Sequence, residues 1–128
     1  MTNQPDAAKL LAIARATLLD NLLPHLPDNL RYDALMVANA MAISIREYAA
    51  GDTAAQGELA RIAGLFAENS QPLAGEALAT ALTDCNRRLA AEIRNGRFYG
   101  KQRAALLNHL EKTSVDALAI SNPRLLKP

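Results

Sequence analysis

One stretch, from Asp28 to Gly51, constrains the fold of this chain more than any other. Between Ala34 and Ile45, only Asn39 and Ser44 carry polar side chains. At helical spacing such a segment is apolar on nearly every side, and a helix of that kind is typical of the middle of a fold. We therefore expect a buried second helix around which the other segments pack.

Prolines, glycines and apolar periodicity place four further helices around this one. Asp28 or Asn29 is the expected N-cap of the second helix, and Thr53 with Gln56 has the spacing of a capping box. The residues 67–72 read as a loop. The predicted helices are Asp6–Leu23, Asp28–Gly51, Thr53–Phe66, Leu73–Asn95 and Lys101–Asn122. The sequence predicts an all-α, single-domain bundle of about five helices over residues 1–128.

Composition supports this class and excludes others. Hydrophobic residues make up 50% of the chain and aromatic residues 4%, so the core has to be aliphatic, and the β-branched and aromatic residues that fill a sheet are sparse. The net charge of +1 gives no bulk attraction to nucleic acid. Charged residues interrupt every window of membrane-spanning length and any signal-peptide core, so we expect no membrane association. The single Cys85 fits a reducing compartment, and we expect a cytoplasmic protein.

No catalytic motif is present, and we predict no catalytic residue, no metal site and no cofactor. The chain lacks a P-loop, a G-x-G-x-x-G loop, an H-E-x-x-H helix and a G-x-S-x-G turn. His25 and His109 lie in different segments, and we expect a loop histidine and a surface histidine. Cys85 lies mid-helix on the apolar stripe and is predicted to be a small buried hydrophobic residue. The sequence favours a binding role over an enzyme.

Three polar residues of the second helix form a candidate ligand-binding stripe. Tyr32, Asn39 and Arg46 are seven residues apart, so they line up about 10 Å apart along one side of the helix. Their neighbours on that side are apolar. Two interpretations stay open: a polar network that fixes the register of neighbouring helices, or the floor of a pocket for an anionic or amide-bearing ligand.

A second constellation is basic. Positive residues cluster at the end of the fourth helix and the start of the fifth, with Phe98 and Tyr99 between them. A solvated face, partly neutralised by an Asp84–Arg88 pair, is one interpretation; a site for an acidic partner or a phosphate-bearing molecule is the other, and nucleic acid is not expected. The predicted patch consists of Arg87, Arg94, Arg97, Lys101 and Arg103, with Arg88 beside them.

The segments LLPHLP, LRY…VANA…RE and the closing NPR carry a resemblance that covers nearly the whole chain. The chain resembles an uncharacterised bacterial family of all-helical domains found beside or fused to aminoglycoside-phosphotransferase-like kinases and acyl-CoA dehydrogenases. The resemblance supplies no catalytic residue. It places Arg31, Asn39, Arg46 and Asn122 in signature stretches, and it implies an accessory role to such a kinase or an acyl-CoA pathway.

Two functions follow as expectations. The first is a non-catalytic interaction module that binds a partner, either a second copy as a homodimer or a phosphotransferase-like kinase or acyl-CoA dehydrogenase. The alternative is a small-ligand binding protein in which Asn39 and Arg46 hold the polar end of an acyl or phosphate-bearing ligand among aliphatic side chains.

Overall fold

The computed structural model describes residues 6–127 and shows an all-α protein with five α-helices in that range. No β-strand occurs among these residues, which confirms the predicted fold class. Short π and 3-10 turns extend α1, and a 3-10 turn follows α5. The helices are α1 (Ala7–Thr17), α2 (Asp28–Ala50), α3 (Thr53–Leu65), α4 (Gly75–Arg94) and α5 (Arg103–Ser121).

The chain divides into two compact units, Met1–Gly51 and Asp52–Pro128. The first contains α1 and α2, and the second contains α3, α4 and α5. The predicted single domain stays a prediction. No helix in the described part of the chain is both long and apolar enough to cross a bilayer.

In the first unit, helical turns continue past the predicted end of α1. The Asp6 side chain accepts a hydrogen bond from the Lys9 N–H at 2.9 Å and caps the helix. Pro24 has no N–H to donate, so the regular ladder cannot continue through it. The Leu23 N–H instead bonds to the Leu18 carbonyl, which closes the π turn Leu18–Leu22. The 3-10 turn Leu23–His25 then leads to the corner before α2.

The second helix is not buried, so this part of the predicted architecture is wrong. Among its residues only Ala34 and Ala38 are buried. Within its unit α2 packs against α1 and the turn that follows α1. Because these segments lie on one side of α2, they cover only that side. Arg15 of α1 donates from Nε to the Ala38 carbonyl at 3.0 Å. The other apolar side chains of α2 remain accessible to solvent.

The start of α2 also differs from the prediction. Pro27 is the N-cap and makes no side-chain hydrogen bond, while Asp28 is the first helical residue. Neither Asp28 nor Asn29 caps the helix, because both are already helical and Pro27 occupies the N-cap position. Asp28 instead contributes a negative charge to the first turn, where it interacts favourably with the helix dipole.

The second unit has the larger core. Leu82 and Cys85 of α4 pack against a cluster of buried side chains, as the predicted stripe of α4 requires. The rings of Phe66 and Phe98 meet edge to face with centroids 6.1 Å apart, a favourable aromatic arrangement. The connection between α4 and α5 therefore contributes a core residue. The cluster consists of Ile62, Leu65, Phe66, Leu89, Phe98 and Leu106.

Two side chains near the start of α3 hold the irregular segment 68–74 against that helix. Asp52 accepts the Gly75 N–H at 2.9 Å, and the Gln56 amide donates to the Leu73 carbonyl at 3.0 Å. The predicted capping box of Thr53 and Gln56 is wrong, because Thr53 is already helical, no side chain caps α3, and the Gln56 amide is bound to Leu73. The predicted loop over residues 67–72 is confirmed.

Candidate functional site

The predicted stripe lies on an open side of α2. Tyr32 is 70% exposed, Asn39 is exposed and Arg46 is half-buried. Leu35 and Met36 lie on the same side and are each about half exposed. We call the residues Tyr32, Leu35, Met36 and Asn39 the α2 face. The structure brings its members together on one helix surface, and the role of the stripe stays a prediction.

A second exposed strip runs along the other side of α2. Leu30, Val37 and Tyr48 are 40%, 49% and 60% exposed. At 100° per residue they lie roughly opposite Asn39. Of the described residues of the first unit, the buried ones are two alanines, while nine large apolar side chains are exposed. The nine are Leu10, Ile13, Leu22, Leu30, Tyr32, Leu35, Met36, Val37 and Tyr48.

The second unit contains a polar cluster that the sequence did not reveal. Arg61 of α3 donates from Nε to Nδ1 of His109 at 3.2 Å and from NH2 to Oγ1 of Thr113 at 3.2 Å. The same NH2 atom lies 4.0 Å from a carboxylate oxygen of Asp116. These contacts link α3 to three successive turns of α5. Beside them, Arg61, Lys112 and Asp116 line an open surface cleft of about 280 Å³.

His109 is the buried polar residue of this cluster, with 3% of its surface exposed, so the expected surface histidine is wrong. Burial lowers the pKa of His109, the Arg61 guanidinium lowers it further, and Glu58 opposes the change. A neutral imidazole that accepts at Nδ1 carries its proton on Nε2. Because Arg61 occupies the basic lone pair, the cluster is suited to holding two helices together and not to abstracting a proton.

The basic patch divides into paired and unpaired residues. Arg97 lies 3.4 Å from Glu92, and Arg87 pairs weakly with Asp84 at 3.9 Å. Arg94, Lys101 and Arg103 form no ion pair with another described residue. The prediction that these cations bind an acidic or phosphate-bearing partner stays a prediction.

Arg88 does not pair with Asp84 as predicted. Its guanidinium binds both carboxylate oxygens of Glu68, at 2.7 and 3.0 Å, and its central carbon lies 3.9 Å from the centre of the Phe66 ring. The two-pronged contact with a carboxylate and the ring stacking suit the planar guanidinium. Arg88 therefore attaches the segment after α3 to α4, and part of the basic cluster has a structural role.

Two further pockets lie next to residues that the sequence analysis singled out. Arg103 lines one of about 120 Å³ beside the rings of Phe98 and Tyr99. Cys85 lines another of about 190 Å³, between α3, the segment 68–74 and α4. The Cys85 thiol is half-buried against the core, in agreement with its predicted role as a small apolar residue. No group of three or more potential metal ligands is assembled by the described residues.

Comparison with known proteins gives one match. The profile of a family described as a domain of unknown function, DUF6285, matches residues 24–125. Those residues include α2, the Arg61–His109 cluster and the basic patch. No curated protein and no solved structure matches the chain.

Proposed function

Because the chain belongs to the DUF6285 family of domains of unknown function, its role has to be inferred from its own surface, and we propose that it is a non-catalytic interaction module. The proposed binding surface is the α2 face. The family description names no activity, and the Arg61–His109 cluster has the geometry of a structural link. The large apolar side chains that the first unit exposes are the feature that a binding role explains.

The proposal is supported by one contrast in that unit: few side chains are buried, and many large apolar side chains are exposed. Its buried residues, among those described, are Ala34 and Ala38, whereas nine large apolar side chains are exposed. In the second unit Ile62 and Leu78 are fully buried. Single exposed apolar residues are ordinary on a protein surface, but contiguous groups mark interaction sites. The α2 face is such a group on one helix.

Covering this surface removes several large apolar side chains from water at once. Moving one large apolar side chain from water into an interface is favourable by about 1.5–3 kcal/mol when burial is complete. Leu35, Met36 and Tyr32 start about half exposed or more. Each therefore gains about half of that amount or somewhat more on burial, which is comparable with the cost of ordering one side chain, about 0.5–2 kcal/mol, so a stable contact has to cover several of them together.

The partner is a protein. A second copy is one candidate; the other two, a phosphotransferase-like kinase and an acyl-CoA dehydrogenase, come from the family resemblance of the sequence. We place the complex in the cytoplasm, a proposal supported by the single half-buried cysteine. The small-ligand alternative gains less support, because Tyr32 and Asn39 are exposed on the outer surface of a helix and not enclosed.

Substitution within the α2 face tests the proposal. Leu35→Lys places a charge in the proposed interface, and Val37→Lys places the same charge at equal exposure on the opposite strip. Each variant is co-expressed with a tagged second copy and, separately, with a tagged phosphotransferase-like kinase and a tagged acyl-CoA dehydrogenase. We expect Leu35→Lys to abolish co-purification and Val37→Lys to retain it. Equal co-purification of the two variants, or none with the parent chain, would overturn the proposal.

A further inference from the structure

The connection between α4 and α5 carries a binding surface of its own. We propose that this surface docks an acidic peptide segment of a partner protein, with one large apolar side chain of the segment held in the pocket beside Phe98. The surface belongs to the second unit and shares no residue with the α2 face, so the two surfaces can be tested independently. We call this pocket the α4–α5 pocket; it is lined by Ile93, Phe98, Tyr99, Arg103, Leu106 and Leu107.

The α4–α5 pocket has the size of one side chain. It encloses about 120 Å³, and most of its lining residues are apolar. Phe98 and Leu106 are buried core residues, whereas Leu107 is about half exposed and lies at the mouth. Pockets for drug-sized ligands have roughly 300–1,000 Å³, so this one is too small for such a ligand. Its size and walls suit a single aliphatic side chain, the kind of anchor that fills a pocket in a protein interface.

Tyr99 supplies an exposed wall of the pocket. The Tyr99 side chain lies against the backbone of the turn at Gly96, where φ is +84° and a Cβ atom would be 3.1 Å from Cδ2 of the ring. A larger residue at this position would strain the turn and displace the ring. Gly96 therefore allows an aromatic ring that is 78% exposed to lie beside the pocket, where it can cover an inserted apolar side chain.

Positive charge adjoins the pocket. The segment 93–107 contains four basic residues and no Asp or Glu. Arg103 lines the pocket itself, and Arg94 directly follows the lining residue Ile93. Arg94, Lys101 and Arg103 are exposed and form no ion pair with another described residue. Charge complementarity therefore favours a partner rich in Asp and Glu.

The N-terminus of α5 strengthens the preference for negative charge. Gln102 occupies the N-cap position but does not cap the helix, because its amide donates to the Leu65 carbonyl at 3.1 Å. No acidic residue lies in the first turn of α5. The N–H groups and the dipole at the start of a helix attract anions. Because Arg103 is the first helical residue, a carboxylate of a docked peptide can meet its guanidinium and the helix N-terminus together.

An acidic peptide fits these features better than nucleic acid does. Affinity for nucleic acid comes from many phosphate contacts, and single strands also stack their bases on aromatic rings. The net charge of the whole chain is only +1. Tyr99 is the exposed ring at the pocket, and the other exposed apolar walls, Ile93 and Leu107, are aliphatic.

Fluorescence anisotropy with two labelled peptides tests the docking on the full chain at physiological salt. The first peptide has one leucine between acidic segments made of glutamate, and the second has serine in place of the leucine. We expect the leucine peptide to bind at least about tenfold more tightly, because a buried leucine is favourable in an apolar pocket and a serine hydroxyl is not. Equal affinities, or no binding of the leucine peptide at about 1 mM chain, would overturn the proposal.

Two variants separate the pocket from general attraction between charges. Arg103→Glu reverses a charge at the pocket, and Arg87→Glu makes the same change at a 79% exposed side chain of α4 that does not line the pocket. We expect Arg103→Glu to weaken binding of the leucine peptide roughly tenfold and Arg87→Glu to weaken it less than about threefold. Equal weakening would overturn the proposal.

A glutamate at position 103 suits the dipole of α5, so the Arg103→Glu variant should fold, and circular dichroism checks this. A labelled DNA duplex is the competing probe. Tighter binding of the duplex than of the leucine peptide, lost in Arg103→Glu, would identify nucleic acid as the occupant and overturn the peptide proposal. Retention of the leucine peptide in the presence of the duplex is the expected result.

Discussion

Arg61 donates a hydrogen bond from Nε to Nδ1 of His109 at 3.2 Å, across 48 positions of sequence. The contact joins the middle of α3 to the first half of α5 and requires a neutral imidazole. A protonated His109 would present a second positive charge and an N–H group at Nδ1, the atom that accepts from Arg61 in the neutral ring. Protonation of His109 and folding of the second unit are therefore linked.

Stability is expected to fall in mildly acid solution because of this link. The pKa of His109 is lowered in the folded chain from its ordinary value of 6.5, so the unfolded chain takes up the proton first as the pH falls. The free energy of unfolding is therefore largest above pH 6.5 and decreases from there toward the folded pKa. Urea midpoints measured from about pH 8 to about pH 5 check this.

The matched variants for that measurement are His109→Gln and His25→Gln. His25 is exposed in the turn before α2, so His25→Gln should retain the pH dependence of the parent. His109→Gln should flatten it, and an undiminished acid decrease in this variant would contradict the link. The lowered pKa of Glu68, caused by its hydrogen bonds with Arg88, acts at lower pH, below the ordinary value of 4.5.

Arg88 is expected to contribute to stability through shape as well as charge. Arg88→Ala removes both hydrogen bonds to Glu68 and uncovers the Phe66 ring, so the urea midpoint should decrease. Arg88→Lys keeps the charge and loses the planar fork, so it should recover only part of the loss. Arg87→Ala, at a neighbouring position with a 79% exposed side chain, should leave the midpoint unchanged. Full recovery by lysine would show that the planar contact is unimportant.

The core of the second unit should respond in proportion to the volume removed. Ile62 is 1% exposed, and Ile62→Ala should lower the free energy of unfolding by about 2–5 kcal/mol, whereas Ile62→Val should lower it by about 0.5–1.5 kcal/mol. Leu107→Ala, at a 52% exposed position of α5, is the control and should change it by roughly 0.5 kcal/mol or less. Denaturant titration of the three variants gives these values, and a similar loss in all three would contradict the described packing.

The helices could be predicted from the sequence because their ends are determined locally. Asp6, Gly51 and Pro123 each act on the backbone within one turn, and the observed helix bounds lie close to those expected from them. The residues that cap the N-termini of α2 and α3 were harder to predict. Several neighbouring polar residues could cap either helix, and tertiary contacts such as that between Gln56 and Leu73 decide among them.

The inner side of α5 could not be predicted, because polar residues occupy it. Helical periodicity predicts a stripe through Leu106, Leu110, Thr113, Ala117 and Ile120. This stripe places Leu110 inside, but Leu110 is 42% exposed and His109 is buried. Arg61 is the reason, since it gives His109 a partner that apolar periodicity cannot show. The sequence did contain a signal for this inner side. His109, Thr113 and Asp116 are polar residues that recur at helical spacing from Leu106.

The exposure of α2 could not be predicted for a different reason. An apolar stretch indicates that a helix will be covered by other residues. It does not indicate whether those residues belong to the same chain. Ala34 and Ala38 face inward, where small side chains suit a close helix contact. The larger Leu35 and Met36 are exposed. We propose that a partner chain covers them.

Light scattering of the Met36→Lys variant tests the interface claim most directly. The parent chain and the Val37→Lys control should both have twice the mass of one 13.7 kDa chain, and Met36→Lys should have the mass of one. The lysine would be forced into an apolar contact between the two copies, where its charge has no partner. A Met36→Lys variant with the same mass as the parent at every concentration would contradict the account.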